Sequence, residues 1–280
     1  MLSKADLTQG SITGTLLRFT LPMIIGSLLQ QCYNIADTLI VGQCIGSGAL
    51  AAVGSAYTLM VFLISILLGL SMGSGTVFSL QYGAGRMKAL RRSIYVSAVL
   101  IGTVTIVLNI AALSFIHPIL KLLQIPDDIY QMMYDYLWII FWGIGFTFIY
   151  NFYAALLRAI GNAVTPLYFL AISVVLNIGL DLFFILLLDW GIKGAAIATI
   201  IAQGVSALGI MGYTYAKCPE LRLHRNDLHF DRHCLKEITS FSTLTCIQQS
   251  VMNLGILMVQ GLVNSFGSMV MAAFAAAIKT

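Results

Sequence analysis

Eight apolar stretches separated by short polar breaks dominate this sequence, and they leave little freedom in what the chain can become. They run over residues 16–41, 50–80, 94–116, 132–157, 167–188, 195–215 and 238–263, and an eighth begins near Met269. A helix needs roughly 20 apolar residues to cross about 30 Å of hydrocarbon, and most of these stretches reach that length. Within lipid the backbone must satisfy its own hydrogen bonds, as a helix does. Only 9% of the 280 residues are charged, against about 25% in soluble domains. The fold class expected is therefore all-α: a polytopic membrane protein, with a six-helix transmembrane bundle followed by the first helices of a repeated second bundle.

The first fifteen residues are largely polar (Lys4, Asp6, Thr8, Gln9, Ser11) and lack the short apolar core and cleavage pattern of a removable signal. The first spanning helix is expected to direct insertion itself. Lysine and arginine placement sets the orientation. With the amino terminus in the cytoplasm, the inner side receives Lys4, Arg18, Arg86, Lys88, Arg91, Arg92, Arg158, Lys217, Arg222, Arg225, Arg232 and Lys236. Only Lys121 and Lys193 fall outside, and Lys279 is left unassigned. The reading is a multi-pass protein of the cell membrane. The net charge of +4 is a topology signal and calls for no nucleic-acid partner. Five scattered cysteines (Cys32, Cys44, Cys218, Cys234, Cys246) have neither disulfide-framework nor zinc spacing. No phosphate-binding loop is present, so ATP is not the expected energy source, and no cofactor is expected.

An internal repeat shapes the domain reading. Ile45-Gly46-Ser47 with Ala51-Ala52 recurs as Phe266-Gly267-Ser268 with Ala272-Ala273, and each follows a helix carrying a double glutamine, Gln30-Gln31 or Gln248-Gln249. Helix seven also carries a polar face of Gln249, Asn253, Gln260 and Asn264. Residues 1–216 are read as an amino-terminal six-helix lobe, 217–237 as a cytoplasmic linker, and 238–280 as the incomplete start of a second lobe. On that reading the polar face of helix seven is left open to lipid, and the missing second-lobe helices are needed for function.

The apolar runs also carry polar groups. Ser27, Gln30, Gln31, Asn34, Asp37 and Thr38 fall on one face of the first helix at 3.6 residues per turn. A carboxylate inside a bilayer costs roughly 2.5–3.5 kcal/mol on insertion scales and is a functional candidate by default. Ser173, Asn177 and Asp181 share a face of the fifth helix, and Thr199, Gln203 and Ser206 a face of the sixth. At about 1.5 Å rise per residue, Asp37, Asp181 and Thr199 all come out in the outer half of the bilayer. Two carboxylates, an amide and a hydroxyl suit a hard cation such as Na+, or a shared proton, better than a soft metal. The alternative is that Asn177 and Asp181 only hydrogen-bond helices together.

The residues Pro22, Gln31, Asp37-Thr38, Val41-Gly42, Gly46 and Ala51-Ala52 resemble the first helix of the multidrug and toxic compound extrusion (MATE) transporters. So do Arg158-Ala159-Ile160-Gly161-Asn162 with Pro166, Asn177 with Asp181, and Gly194-Ala195-Ala196-Ile197-Ala198-Thr199. The resemblance implies that Asp37, Asn177, Asp181 and Thr199 form the amino-lobe cation site of a drug/cation antiporter. It departs at helix seven, where Thr243 and Thr245 stand near the expected proline. The function expected is a secondary antiporter, not an enzyme, exporting amphipathic, often cationic organic compounds in exchange for Na+ or H+. Its partners are a small organic substrate, the coupling cation and the lipid bilayer. Substrate-cavity candidates are Gln30, Gln31, Asn34, Gln203, Gln249 and Asn253. Two other readings are weighed. A lipid-linked oligosaccharide flippase would carry basic residues in its cavity, and only Arg18, at an edge, falls within these helices. An intramembrane aspartyl protease would pair Asp37 with Asp181, but Ala36-Asp37 and Gly179-Leu180-Asp181 lack that family's Tyr-Asp and Gly-x-Gly-Asp.

Overall fold

A computed structural model of the chain describes residues 12–224, 227, 229 and 231–279, and all of its regular structure is helical. The expectations placed on Lys4 and Arg225 lie outside the described residues, as do those on the side chains of Arg18 and Lys279. The helices are α1 (Ile12–Cys44), α2 (Ser47–Gly83), α3 (Met87–Ser114), α4 (Ile116–Leu122), α5 (Asp127–Trp142), α6 (Ile144–Ala159), α7 (Val164–Leu182), α8 (Gly191–Lys217), α9 (Arg232–Asn264) and α10 (Ser268–Lys279). Among them α2, α3, α8, α9 and α7 with its π-turn Phe183–Leu187 are long and apolar enough to span a membrane, and α5 with α6 makes a sixth as a bent pair. The 33-residue α1 has the length, but its glutamines, Asn34 and Asp37 dilute its apolarity.

Two of the breaks between helices differ from the sequence reading. The polar break between the third and fourth apolar stretches holds most of α4; Pro118 sits in its first turn, where proline's missing N–H is no loss. The fourth apolar stretch, expected as one helix over 132–157, is broken at Gly143, where α5 and α6 meet at 46°. No proline marks that break. Its backbone continues through a tight turn in which Gly143 N–H donates to Ile140 C=O at 2.8 Å.

The centre of the fold is α2, which packs on α1, α3, α5, α6, α9 and α10. Small residues permit this, because helix association in lipid depends on close backbone approach. Gly69 and Gly73 face Cys246 and Ser242 of α9, Gly54 faces Ala275 of α10, and Gly75 faces Ala155 of α6. The α9 helix lies along the flank of α2, touching α3 at its start and α10 at its end. Its polar face, expected to be open to lipid, is instead turned inward: Asn253, Gln260 and Asn264 are 7%, 2% and 1% exposed. Thr58 Oγ1 donates to Gln260 Oε1 at 3.2 Å, and Asn264 Nδ2 donates to Ser55 Oγ at 3.1 Å and to Leu123 C=O at 2.8 Å. Such bonds are worth about 0.6 kcal/mol each inside membranes. Hydrophilic residues of α9 thus find partners on α2, and its outward face is apolar (Leu244, Ile247, Val251, Met258). Gly46 and Gly267, the two glycines of the sequence repeat, both take positive φ, and each immediately precedes a helix that begins with serine.

The segment before α9 is strapped to the start of α3. Arg91 Nε donates to Asp227 Oδ2 at 2.9 Å, and Arg92 Nη1 to Asp231 Oδ2 at 2.9 Å. Asp231 also caps α9 by accepting from His233 N–H at 2.8 Å, which starts the helix at Arg232 rather than near Ile238. Burial pushes the Asp227 carboxyl up, but the His224 N–H and the Arg91 guanidinium outweigh it and hold it below its ordinary value. The His233 N–H and the Arg92 guanidinium do the same for Asp231. Because folding depresses both carboxyls, their hold is complete above about pH 4, the ordinary carboxylate value, and is lost as pH falls through the depressed values. Hydrogen exchange, corrected for intrinsic rates, is expected to speed up in residues 220–224 and the first turn of α9 below about pH 4. In an Arg91→Ala/Arg92→Ala variant those amides should already exchange quickly at neutral pH.

Candidate functional site

Three helices bring the polar groups together. On α7, Ser173, Asn177 and Asp181 follow one another at four-residue spacing, and Asn177 and Asp181 are fully buried towards its carboxyl-terminal end. The amide orientation of Asn177 follows from its neighbours. Its NH2 donates to Asp181 Oδ2 at 2.9 Å and its carbonyl accepts from the Thr199 N–H of α8 at 3.2 Å. One amide therefore ties the carboxylate to the neighbouring helix. The other carboxylate oxygen, Asp181 Oδ1, is buried with no hydrogen-bond partner among the described residues. An unpaired buried carboxylate oxygen is unfavourable and is a natural point for a proton or hard cation to attach.

Asp37 comes from α1, where Leu39 and Ile40 continue the helix beyond it to Cys44, and it is 7% exposed. It interacts electrostatically with Asp181. Asp37, Asn177, Asp181 and Thr199 thus form one cluster. Two tyrosines that the sequence reading missed join it. Tyr33, one turn before Asp37, reaches Thr199 and interacts with both carboxylates. Tyr136 of α5 is buried and interacts with both as well. The four-residue spacing of Tyr33 and Asp37 was the available signal for the first; nothing local distinguishes Tyr136.

Beside the cluster lies a cavity of about 390 Å³, walled by α1, α2, α6, α7 and α8, within the range that holds small organic ligands. Gln30, Gln31, Asn34 and Gln203 line it, along with Asn177 and Thr199. Tyr33, Tyr57, Tyr150, Thr147, Asn151, Ser173 and Ser206 complete its polar wall, and no charged side chain among the described residues lines it. Asn34 Nδ2 donates to Tyr57 OH at 3.3 Å and to Gln31 Oε1 at 3.2 Å. Gln249 and Asn253 do not reach this cavity, because α9 lies on the far flank of α2; Asn253 Nδ2 donates to its own helix at Gln249 C=O, 2.8 Å away.

Residues 22–183 match the family model described as MatE. The chain is 32% identical over 272 residues to the probable multidrug resistance protein YpnP of Bacillus subtilis (strain 168), covering 97% of this chain and 60% of that protein. It is 28% identical over 274 residues to the probable multidrug resistance protein YoeA of the same organism, covering 95% of this chain and 59% of that protein. In fold it is similar to an inward-facing multidrug resistance MATE family transporter of the MOP superfamily, with a TM-score of 0.84 and 23% identity over 94% of this chain and 60% of that one. The chain thus spans about three fifths of the length of these relatives.

Proposed function

Since the chain belongs to the MATE family of membrane transporters, we propose that it serves secondary antiport, moving amphipathic, often cationic organic compounds out of the cell in exchange for Na+ or H+. Residues 1–216 would form one lobe, 217–237 a cytoplasmic linker, and 238–280 the opening of a second lobe, with the amino terminus in the cytoplasm of a cell-membrane protein. The observation that carries this reading is Asn177, which holds Asp181 on one side and Thr199 on the other while Asp181 Oδ1 has no hydrogen-bond partner among the described residues. A proton or Na+ arriving at Asp37 and Asp181 would neutralise the excess negative charge there. That would change the pull of both carboxylates on Tyr33 and, through Asn177, on Thr199. Three of these residues also line the cavity, so ion occupancy and cargo fit would share a wall. A ligand shifts a conformational equilibrium only by its differential affinity for the two states, and this shared wall supplies one. The uncharged wall suits organic cations and neutral amphiphiles, and offers no basic group for a flippase's pyrophosphate.

The test is transport into inverted membrane vesicles, with the sodium and proton gradients collapsed separately. Uptake of an organic cation is expected to stop when one of the two is collapsed. Uptake that survives the loss of both would contradict antiport.

A further inference from the structure

The cluster and the cavity wall are joined by an arrangement that the antiport reading does not itself require. Thr199 and Gln203 sit one turn apart on α8. Thr199 is held by Asn177, next to Asp181. Gln203 Oε1 accepts from Thr147 Oγ1 of α6 at 3.1 Å, four residues past the break at Gly143. The Gly143 carbonyl accepts from Phe146 N–H at 3.0 Å and from Thr147 N–H at 3.2 Å, so Thr147 belongs to the turn that starts the second arm. The break is pressed from the same side: a Cβ on Gly143 would lie 3.0 Å from Ile200, 3.1 Å from Ile140 C=O and 3.5 Å from Gln203 Oε1. The arm before the break carries Tyr136 to the carboxylates, and the arm after it carries Thr147, Tyr150 and Asn151 to the cavity. Asn151 Nδ2 in turn donates to Thr147 C=O at 2.8 Å. One turn of α8 therefore touches the ion cluster at Thr199 and the bent helix at Thr147.

We propose that Thr147 and Gln203 are positioning residues, which latch the α5–α6 break to α8 so that a change at Asp37 and Asp181 resets the cavity wall. This rests on the antiport reading. A two-armed helix with a glycine at its corner can change angle with little internal strain, and hinge residues absorb such changes at element ends. The Thr147–Gln203 bond then decides whether movement of α8 is passed to the second arm.

The experiment measures equilibrium binding of ethidium, a fluorescent organic cation, to the purified protein in detergent, with Na+ and pH each varied. Coupling between two sites is the factor by which one ligand changes the other's affinity, commonly about 5–150-fold. The wild type is expected to show such a factor with one of the two ions. Thr147→Val, which removes the hydroxyl and keeps the shape, is expected to bring that factor to within about twofold of unity. Thr147→Ser, which keeps the hydroxyl, should retain it. Gly143→Ala, which crowds the break, should also diminish it. Thr147→Val binding ethidium with the wild-type factor would overturn the latch and leave antiport standing. No ion dependence in the wild type would instead sink the antiport reading beneath it.

Discussion

Asp181→Asn is expected to leave the protein folded and sharply reduce gradient-driven export. The substitution preserves size, and the new amide oxygen still accepts from Asn177. What it removes is the charge, and with it the affinity for a proton or Na+ that we propose for the cluster. A coupling free energy of about 1–3 kcal/mol corresponds to about 5–150-fold, so ion-driven transport should fall by a factor in that range while cargo binding alone persists. Asp37→Asn should have a similar effect, because the two carboxylates interact and are expected to hold one ion between them. Interacting groups titrate as a pair and their substitutions do not add. The double variant should therefore be little worse than either single one. Efflux from everted vesicles, normalised to protein in the membrane, measures this. Full ion-driven export by either variant would refute a shared site.

The largest stability effect is expected at Gly73 and Gly69. A Cβ on Gly73 would lie 2.3 Å from Ser242 Cα and 2.6 Å from Ser242 N, and one on Gly69 would lie 2.4 Å from Cys246 Cα. These obstacles are backbone atoms, so rotating a side chain gives no relief and α9 must move away from α2. Overpacking of this kind costs about 1–3 kcal/mol and sometimes more. Here the movement would also lengthen the Ser242–Leu70, Thr58–Gln260 and Ser55–Asn264 bonds. Gly73→Ala is expected to lower the melting temperature in detergent and expose α9 to protease. Gly212→Ala in α8 is the control, since nothing stands within 4 Å of its added Cβ. It should be neutral or stabilising, by up to the ~1 kcal/mol that separates alanine from glycine within a helix.

The parts of the fold that were legible in the sequence are those governed by local periodicity. Apolar runs place the helices because lipid permits little else, and four-residue spacing places Asn177 with Asp181 and Thr199 with Gln203 on shared faces. The seven residues of α4 are too few to display a period, and their proline reads as a breaker when it sits in a first turn. The break at Gly143 carries no local mark, since part of what crowds a side chain there is Ile200 of another helix. Tyr136 joins the carboxylates for the same reason: its partners are about 45 to 100 residues away and only packing brings them together. The polar residues of α9 were visible as a face, yet their partners on α2, Ser55 and Thr58, look like ordinary small residues of a transmembrane helix.

The central claim is that Asp37 and Asp181 hold one exchangeable cation between them, displaced as cargo binds. Counting ions released on cargo binding tests it most directly. Ethidium would be added to saturation to purified protein in weakly buffered detergent solution, with a pH indicator and a sodium electrode following release. One proton or one Na+ should leave the wild type for each ethidium bound, and none should leave Asp181→Asn. Cargo binding to the wild type with no ion released, or unchanged release from Asp181→Asn, would contradict the account.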